Sequence, residues 1–141
     1  MNGFLLDTNV ISELIKKAPH RGVVEWVDAA NEDRLYLSVL TLGKIRKGIS
    51  SLSNPVRSSG LATWFAHDLV PRFTGRILPV DLAVAERWGE LAGGAAARRA
   101  PLPVIDGLLA ATALEHRLTL VTRDTAHLAA TGVSFVDPWS S

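Results

Sequence analysis

Short apolar runs alternate with stretches of helical spacing along the whole chain, and this order constrains the fold more than any other feature of the sequence. Phe4, Leu5 and Leu6 run together, and after Asp7 the apolar residues Val10, Ile11, Leu14 and Ile15 are spaced as one face of a helix. This pattern predicts a buried strand ending at Asp7 with a helix directly behind it. The stripe Val23, Val24, Trp26 and Val27 predicts a helix over 22–30, residues 35–39 alternate like a short strand, and helix follows over 41–52. Asn54 and Pro55 open a helix predicted over 54–73, with Leu61, Trp64, Phe65 and Leu69 on one face. A strand over 77–80 leads into a helix capped by Asp81, whose stripe is Leu82, Ala85, Trp88, Leu91 and Ala92. The tract 94–100 is small and basic, is followed by Pro101 and Pro103, and reads as a mobile loop. A helix over 104–116 and strands over 118–121 and 134–136 complete the chain.

Strand and helix alternating in this way select a parallel sheet with helices on both faces, because parallel neighbours need long crossovers and helices supply them. The expected fold class is α/β, as a single domain over 1–141. That length suits one domain, and 48% hydrophobic residues provide for a core. No apolar stretch reaches the roughly 20 residues needed to cross a bilayer. Residues 1–6 lack the basic-then-apolar pattern of a signal peptide, so the expected compartment is the cytoplasm, with no membrane association.

Open α/β sheets bind ligands beyond the carboxyl ends of their strands, where the loops form a crevice. Asp7 closes the first strand, Asp124 follows the strand over 118–121, and Asp106 stands in the first turn of the helix before it. Three carboxylates at one rim form a hard oxygen site suited to Mg²⁺ or Mn²⁺, and they repel one another unless a cation neutralises them. The chemistry such a site supports is phosphodiester hydrolysis by metal-activated water, with no side-chain nucleophile. Taken singly, each acid has a plainer structural reading: Asp7 as a helix cap, Asp106 as a complement to a helix dipole, Asp124 as a turn residue. Their common position at strand ends is what argues for a site. Thr8 and Thr122 adjoin the acids and are expected to support them from behind, Thr122 more than Thr8.

Other chemistries are excluded or disfavoured. The chain has no cysteine, which removes disulfides, thiolate metal sites and thiol nucleophiles, and its four histidines lack the spacing of zinc ligands. A phosphotransferase with a strand-end aspartate nucleophile needs a second acid two residues on, where this chain has Asn9. A phospho-acceptor receiver domain needs a late lysine, and the last lysine is Lys47. The net charge of +1 supplies no global field for nucleic acid, so any polyanion must be met locally. Trp26, Trp64 and Trp88 lie in apolar stripes and read as core or dimer contacts, and Trp139 is expected to pack the terminus. For the apolar faces of the early helices, two readings stay open: ordinary core and a groove for a partner helix.

The segments LLDTNVISEL (5–14), SVLTLGKIRKGI (38–49), GRILPVDLAVAERW (75–88), PVIDGLLAATALEH (103–116) and LTLVTRDTAHL (118–128) resemble, in order, the motifs of VapC-type toxins. The closing VDPW (136–139) resembles the FitB-like branch of that PIN-domain family. The resemblance covers nearly the whole chain and implies a PIN-like domain with a mainly parallel central sheet flanked by helices. It implies the toxin of a type II toxin-antitoxin system, an endoribonuclease using Mg²⁺ or Mn²⁺ held by Asp7, Asp106 and Asp124. It further implies a homodimer, an RNA substrate, and a VapB-like cognate antitoxin that blocks the site and carries the complex to operator DNA.

One position departs from the family pattern. Related sequences read T-x-x-E-[IL]-R-x-G where this chain has TLGKIRKG (41–48), so Lys44 stands at the position of a catalytic glutamate. The exchange shifts the local charge by two units toward positive, and an ammonium beside the carboxylates competes with a metal for them. The expected consequence is weakened or abolished cleavage. A solvated surface lysine and a lysine reaching the scissile phosphate are the other readings of position 44. The rival to a weakened enzyme is a catalytically silent, antitoxin-binding module that acts in transcriptional autoregulation. Arg46, Lys47, Arg98 and Arg99 are candidate contacts for RNA phosphates, although surface charges of this kind more often only keep a face solvated.

Overall fold

A computed structural model describes residues 3–94, 99 and 101–140. Its five strands are β1 (Gly3–Leu6), β2 (Leu35–Ser38), β3 (Ile77–Leu78), β4 (Leu118–Val121) and β5 (Phe135–Val136). They form one sheet in the order β3-β2-β1-β4-β5, with every neighbouring pair parallel. The chain builds outward from β1 through β2 to β3, then crosses back to lay β4 and β5 on the other side. The strand order therefore reverses at β1, and the carboxyl ends of β1 and β4 flank the crevice that such a reversal creates.

The helices are α1 (Thr8–Leu14), α2 (Arg21–Ala29), α3 (Val39–Ser50), α4 (Pro55–Trp64), α5 (Val70–Arg72), α6 (Leu82–Gly93) and α7 (Val104–His116). The sheet is covered on both faces, which is why its strands read as unbroken apolar runs. Leu6, Leu37 and Val121 belong to one core with Val10, Val23 and Phe73. Their strand neighbours Leu5 and Leu120 belong to the other, against Leu109 and Ala113 of α7. Trp139 packs on the first core, as expected for the terminus, and Trp26 meets Phe4 edge-on with ring centroids 4.9 Å apart. Gly107 lets α7 approach α6 closely, since a Cβ there would lie 3.0 Å from Trp88 Cδ1.

Several boundaries differ from the sequence expectation for identifiable reasons. The strand over 35–39 ends at Ser38, because the Ser38 hydroxyl accepts from Leu40 N (3.0 Å) and caps α3, leaving Val39 as its first residue. The second helix begins at Arg21, one residue early, capped by the His20 imidazole accepting from Gly22 N (3.1 Å). The helix expected over 54–73 is interrupted by a π-helical turn, Phe65–Leu69, immediately before Val70 and Pro71. Proline has no N–H to give and its ring crowds the carbonyl four residues back, so the turn widens ahead of it. The strand over 77–80 stops at Leu78 before Pro79, which cannot donate to a ladder, and the last strand is confined to Phe135–Val136. Most of the tract 94–100 lies outside the described residues. No helix among the described residues is long and apolar enough to cross a membrane.

Candidate metal centre

Leu6 and Val121 are register partners on adjacent parallel strands, so the residues that follow them, Asp7 and Thr122, emerge side by side. Asp7 N donates to Val121 O at 2.9 Å, extending the pairing by one step. The Thr122 hydroxyl donates to Asp7 Oδ2 at 2.8 Å, and Thr8 N donates to Asp7 Oδ1 at 2.7 Å. Both carboxylate oxygens are thus held, in a side chain only 7% exposed. Asp7 therefore caps α1 and lines the crevice at once; its two sequence readings are compatible.

Thr122 is the hub of the site. Besides donating to Asp7, its oxygen accepts from Asp124 N (3.0 Å) and Asn9 Nδ2 (3.3 Å), which fills its capacity. Asn9 Nδ2 also reaches Asp124 Oδ2 at 3.5 Å. Asp106, in the first turn of α7, joins Asp7, Thr122, Asp124, His127 and Leu102 in lining one small cleft. The three acids therefore share a site. They are spread around it, however, and among the described residues no three acidic or histidine side chains form a ready-made ligand cluster.

Burial pushes the Asp7 carboxyl above the ordinary aspartate range, against the hydrogen bonds from Thr122 and Thr8 and the positive charge of Lys44, all of which pull it down. The Asp106 charge adds a smaller upward push. Lys44 is half-buried on α3 and stands close enough for its charge to act on Asp7, yet it forms no ion pair with any described acid.

The donor set fits a hard divalent cation. Three carboxylates and the Thr122 hydroxyl line the cleft beside the His127 imidazole, and two nearby oxygens, Thr8 Oγ1 and Asn9 Oδ1, are buried without a partner. A buried unpaired polar atom costs about 1–3 kcal/mol, which a hydrated ion can offset. With this geometry in view, the sequence comparison is decisive: the profile described as "PIN domain" matches residues 4–133. The chain belongs to the PIN-domain family.

This PIN domain is 38% identical over 135 residues to "Toxin FitB" of Neisseria gonorrhoeae, covering 96% of this chain and 97% of that one. It is 36% identical over 135 residues to "VapC ribonuclease Y4jK" of Sinorhizobium fredii, covering 96% of both. Among solved structures it is similar to the crystal structure of FitAcB from Neisseria gonorrhoeae, with a TM-score of 0.93 and 37% identity over 98% of this chain and 99% of that one.

Within the PIN fold, most residues singled out from the sequence converge. Asp7, Asp106, Asp124 and Thr122 share the cleft, and the Lys44 charge acts on Asp7 from outside its lining. Thr8 supports Asp7 through its main-chain N–H, while its hydroxyl has no partner. Arg46 and Lys47 are exposed on α3 and do not line the cleft, Arg99 is exposed, and Arg98 lies outside the described residues. Sequence reasoning missed two residues. Asn9 reads from the sequence only as a missing acid, although its place in the first turn of α1 puts it beside Asp7; His127 reads there only as a histidine without zinc-ligand spacing. In the early helices Val10 and Val23 are core, while Leu14, Ile15 and Trp64 line a solvent-open groove that also includes Asp68 and Arg72.

Proposed function

We propose that this PIN-domain protein is the toxin of a type II toxin-antitoxin pair: a divalent-metal-dependent endoribonuclease, weakened by Lys44. The observation that carries this reading is the convergence of Asp7, Asp106 and Asp124 on one cleft, beside buried oxygens that lack partners. Asp7, Asp106 and Asp124 would hold Mg²⁺ or Mn²⁺, and the bound ion would supply an activated water and neutralise charge on the phosphodiester. Thr8 N and Thr122 Oγ1 fix the two oxygens of Asp7, so this ligand needs no reorientation on binding. Arg46 and Lys47 are proposed contacts for the RNA backbone. The names of its relatives, a toxin and a ribonuclease, support the same reading.

Lys44 opposes the reaction by supplying a fixed positive charge where the family pattern has a glutamate. That its charge acts on the Asp7 carboxyl supports this reading. Replacing it by glutamate should increase Mg²⁺-dependent cleavage of RNA, read as product per unit time across a metal titration. Equal cleavage by the two proteins would refute the role given to Lys44. No cleavage by either would favour the second reading, a silent module that binds antitoxin and regulates transcription.

For partners we propose a homodimer bound to a VapB-like antitoxin, with operator DNA reached only through the antitoxin. The chain resembles the structure of FitAB bound to an IR36 DNA fragment, with a TM-score of 0.91 and 36% identity over 98% of this chain. The α1–α4 groove is the proposed seat of an antitoxin helix. Removing the side chains of Leu14, Ile15 and Trp64 should weaken that binding, measured by calorimetry with the purified antitoxin.

A further inference from the structure

We infer that Asn9 is a positioning residue whose amide nitrogen ties Asp124 to Thr122, and through that hydroxyl to Asp7, presetting two acids from different strand ends as cation ligands. The inference rests on the metal-site reading above and assigns a role to a residue that is not itself an acid.

Asp124 is exposed and sits in the loop after β4, where a free carboxylate would sample several rotamers. Among the described residues, the side-chain partner of its carboxylate is Asn9 Nδ2, at 3.5 Å. Asn9 is well placed to restrain it, because the first turn of α1 is anchored by the buried Val10 and Ile11.

Chemistry fixes which end of the amide faces the acids. Thr122 has one hydroxyl proton, and it goes to Asp7 Oδ2, so the Thr122 oxygen can only accept from other neighbours. Asp124 Oδ2 is likewise an acceptor. The group between them must be a donor, and Nδ2 meets both, at 3.3 Å and 3.5 Å. A reversed amide would set its oxygen against a carboxylate and a filled hydroxyl. This orientation leaves Asn9 Oδ1 buried with no partner. A purely structural asparagine would have both ends satisfied; a hydrated cation would supply the hydrogens that this oxygen lacks. Because both nitrogen contacts are long, they add little to folding stability, and that separates a positioning role from a structural one.

The test is calorimetric titration with MnCl₂ of the full chain and of its Lys44→Glu variant, each with and without Asn9→Ala, together with melting temperatures in EDTA. Asn9→Ala is expected to weaken Mn²⁺ binding about tenfold or more, the usual scale for residues that orient metal ligands, and to leave the EDTA melting temperature unchanged. Unchanged Mn²⁺ affinity would overturn the inference, as would a loss of affinity matched by destabilisation in EDTA. Asn9→Leu keeps the bulk but removes the donor without adding a cation ligand; Mn²⁺ binding as tight as in the parent would show that the nitrogen is dispensable and would also overturn it. If Mn²⁺ fails to bind Lys44→Glu with Asn9 intact, the metal-site reading itself falls.

Discussion

Thr122 does three jobs with one hydroxyl: it donates to Asp7 and accepts from Asp124 N and from Asn9. Its side chain is 1% exposed, so water cannot replace a lost partner. Thr122→Val keeps the volume and removes the hydroxyl, which leaves a buried carboxylate oxygen and a main-chain N–H unpaired. We expect a loss of about 1–3 kcal/mol in unfolding free energy, measured by urea titration, together with weaker Mn²⁺ binding. Asp7 and Thr122 were legible in the sequence because a strand end followed by Asp or Thr is a local pattern, and Asp106 because an acid in the first turn of a helix is another. The bridging role of Asn9 was not, because it depends on Thr122 and Asp124, more than a hundred residues further along the chain.

At the scale of the element, caps and breakers set the boundaries that bring these residues into place. Ser38 ends β2 and starts α3 in a single step, and that fixes the phase of α3 and hence the side on which Lys44 lies. Helix α7 ends at Arg117, a left-handed residue with φ of 55°. Left-handed backbone disfavours any side chain with a Cβ, so Arg117→Gly should raise stability by up to about 1 kcal/mol, seen as a higher urea midpoint with an unchanged slope. Gly107 makes the opposite prediction. Its Cβ position already lies 3.0 Å from Trp88, so Gly107→Val should cost about 1–3 kcal/mol through overpacking between α6 and α7, and the same titration checks it. Apolar periodicity located nearly every element, yet it does not register the π turn before Pro71, which arises from a backbone clash that apolar spacing does not record.

Across the whole molecule, ion pairs both within and between segments hold acids that titrate. Glu32 accepts two hydrogen bonds from Arg72, at 2.8 and 2.9 Å, and these hold its carboxyl below the ordinary glutamate range. Glu13 is held down in the same direction, chiefly by Lys16 and then by the His20 N–H. A depressed acid contributes stability above its unfolded pKa and loses it as pH falls through the folded one. Unfolding free energy should therefore decline as pH drops below the ordinary glutamate range. Asp7 works in the reverse sense: its raised carboxyl favours the protonated fold, a contribution lost as pH rises through its folded pKa. Glu32→Gln should flatten the acid decline by no more than about 1 kcal/mol, because the pair is partly exposed and screened. Urea titrations across the acid range measure both slopes.

The sequence by itself determined the alternation of strand and helix, the parallel sheet that follows from it, and the places of Asp7 after a strand and Asp106 in a first helical turn, because each is written in spacings of a few residues. Only the tertiary structure decided that Asp7 and Thr122 touch, that Asn9 bridges to Asp124, that Thr8 acts through its main chain, and that the Lys44 charge acts on Asp7 without an ion pair to any described acid. Those facts depend on the order in which β1 and β4 come together, and side-chain contacts across neighbouring strands exist only once the sheet has closed.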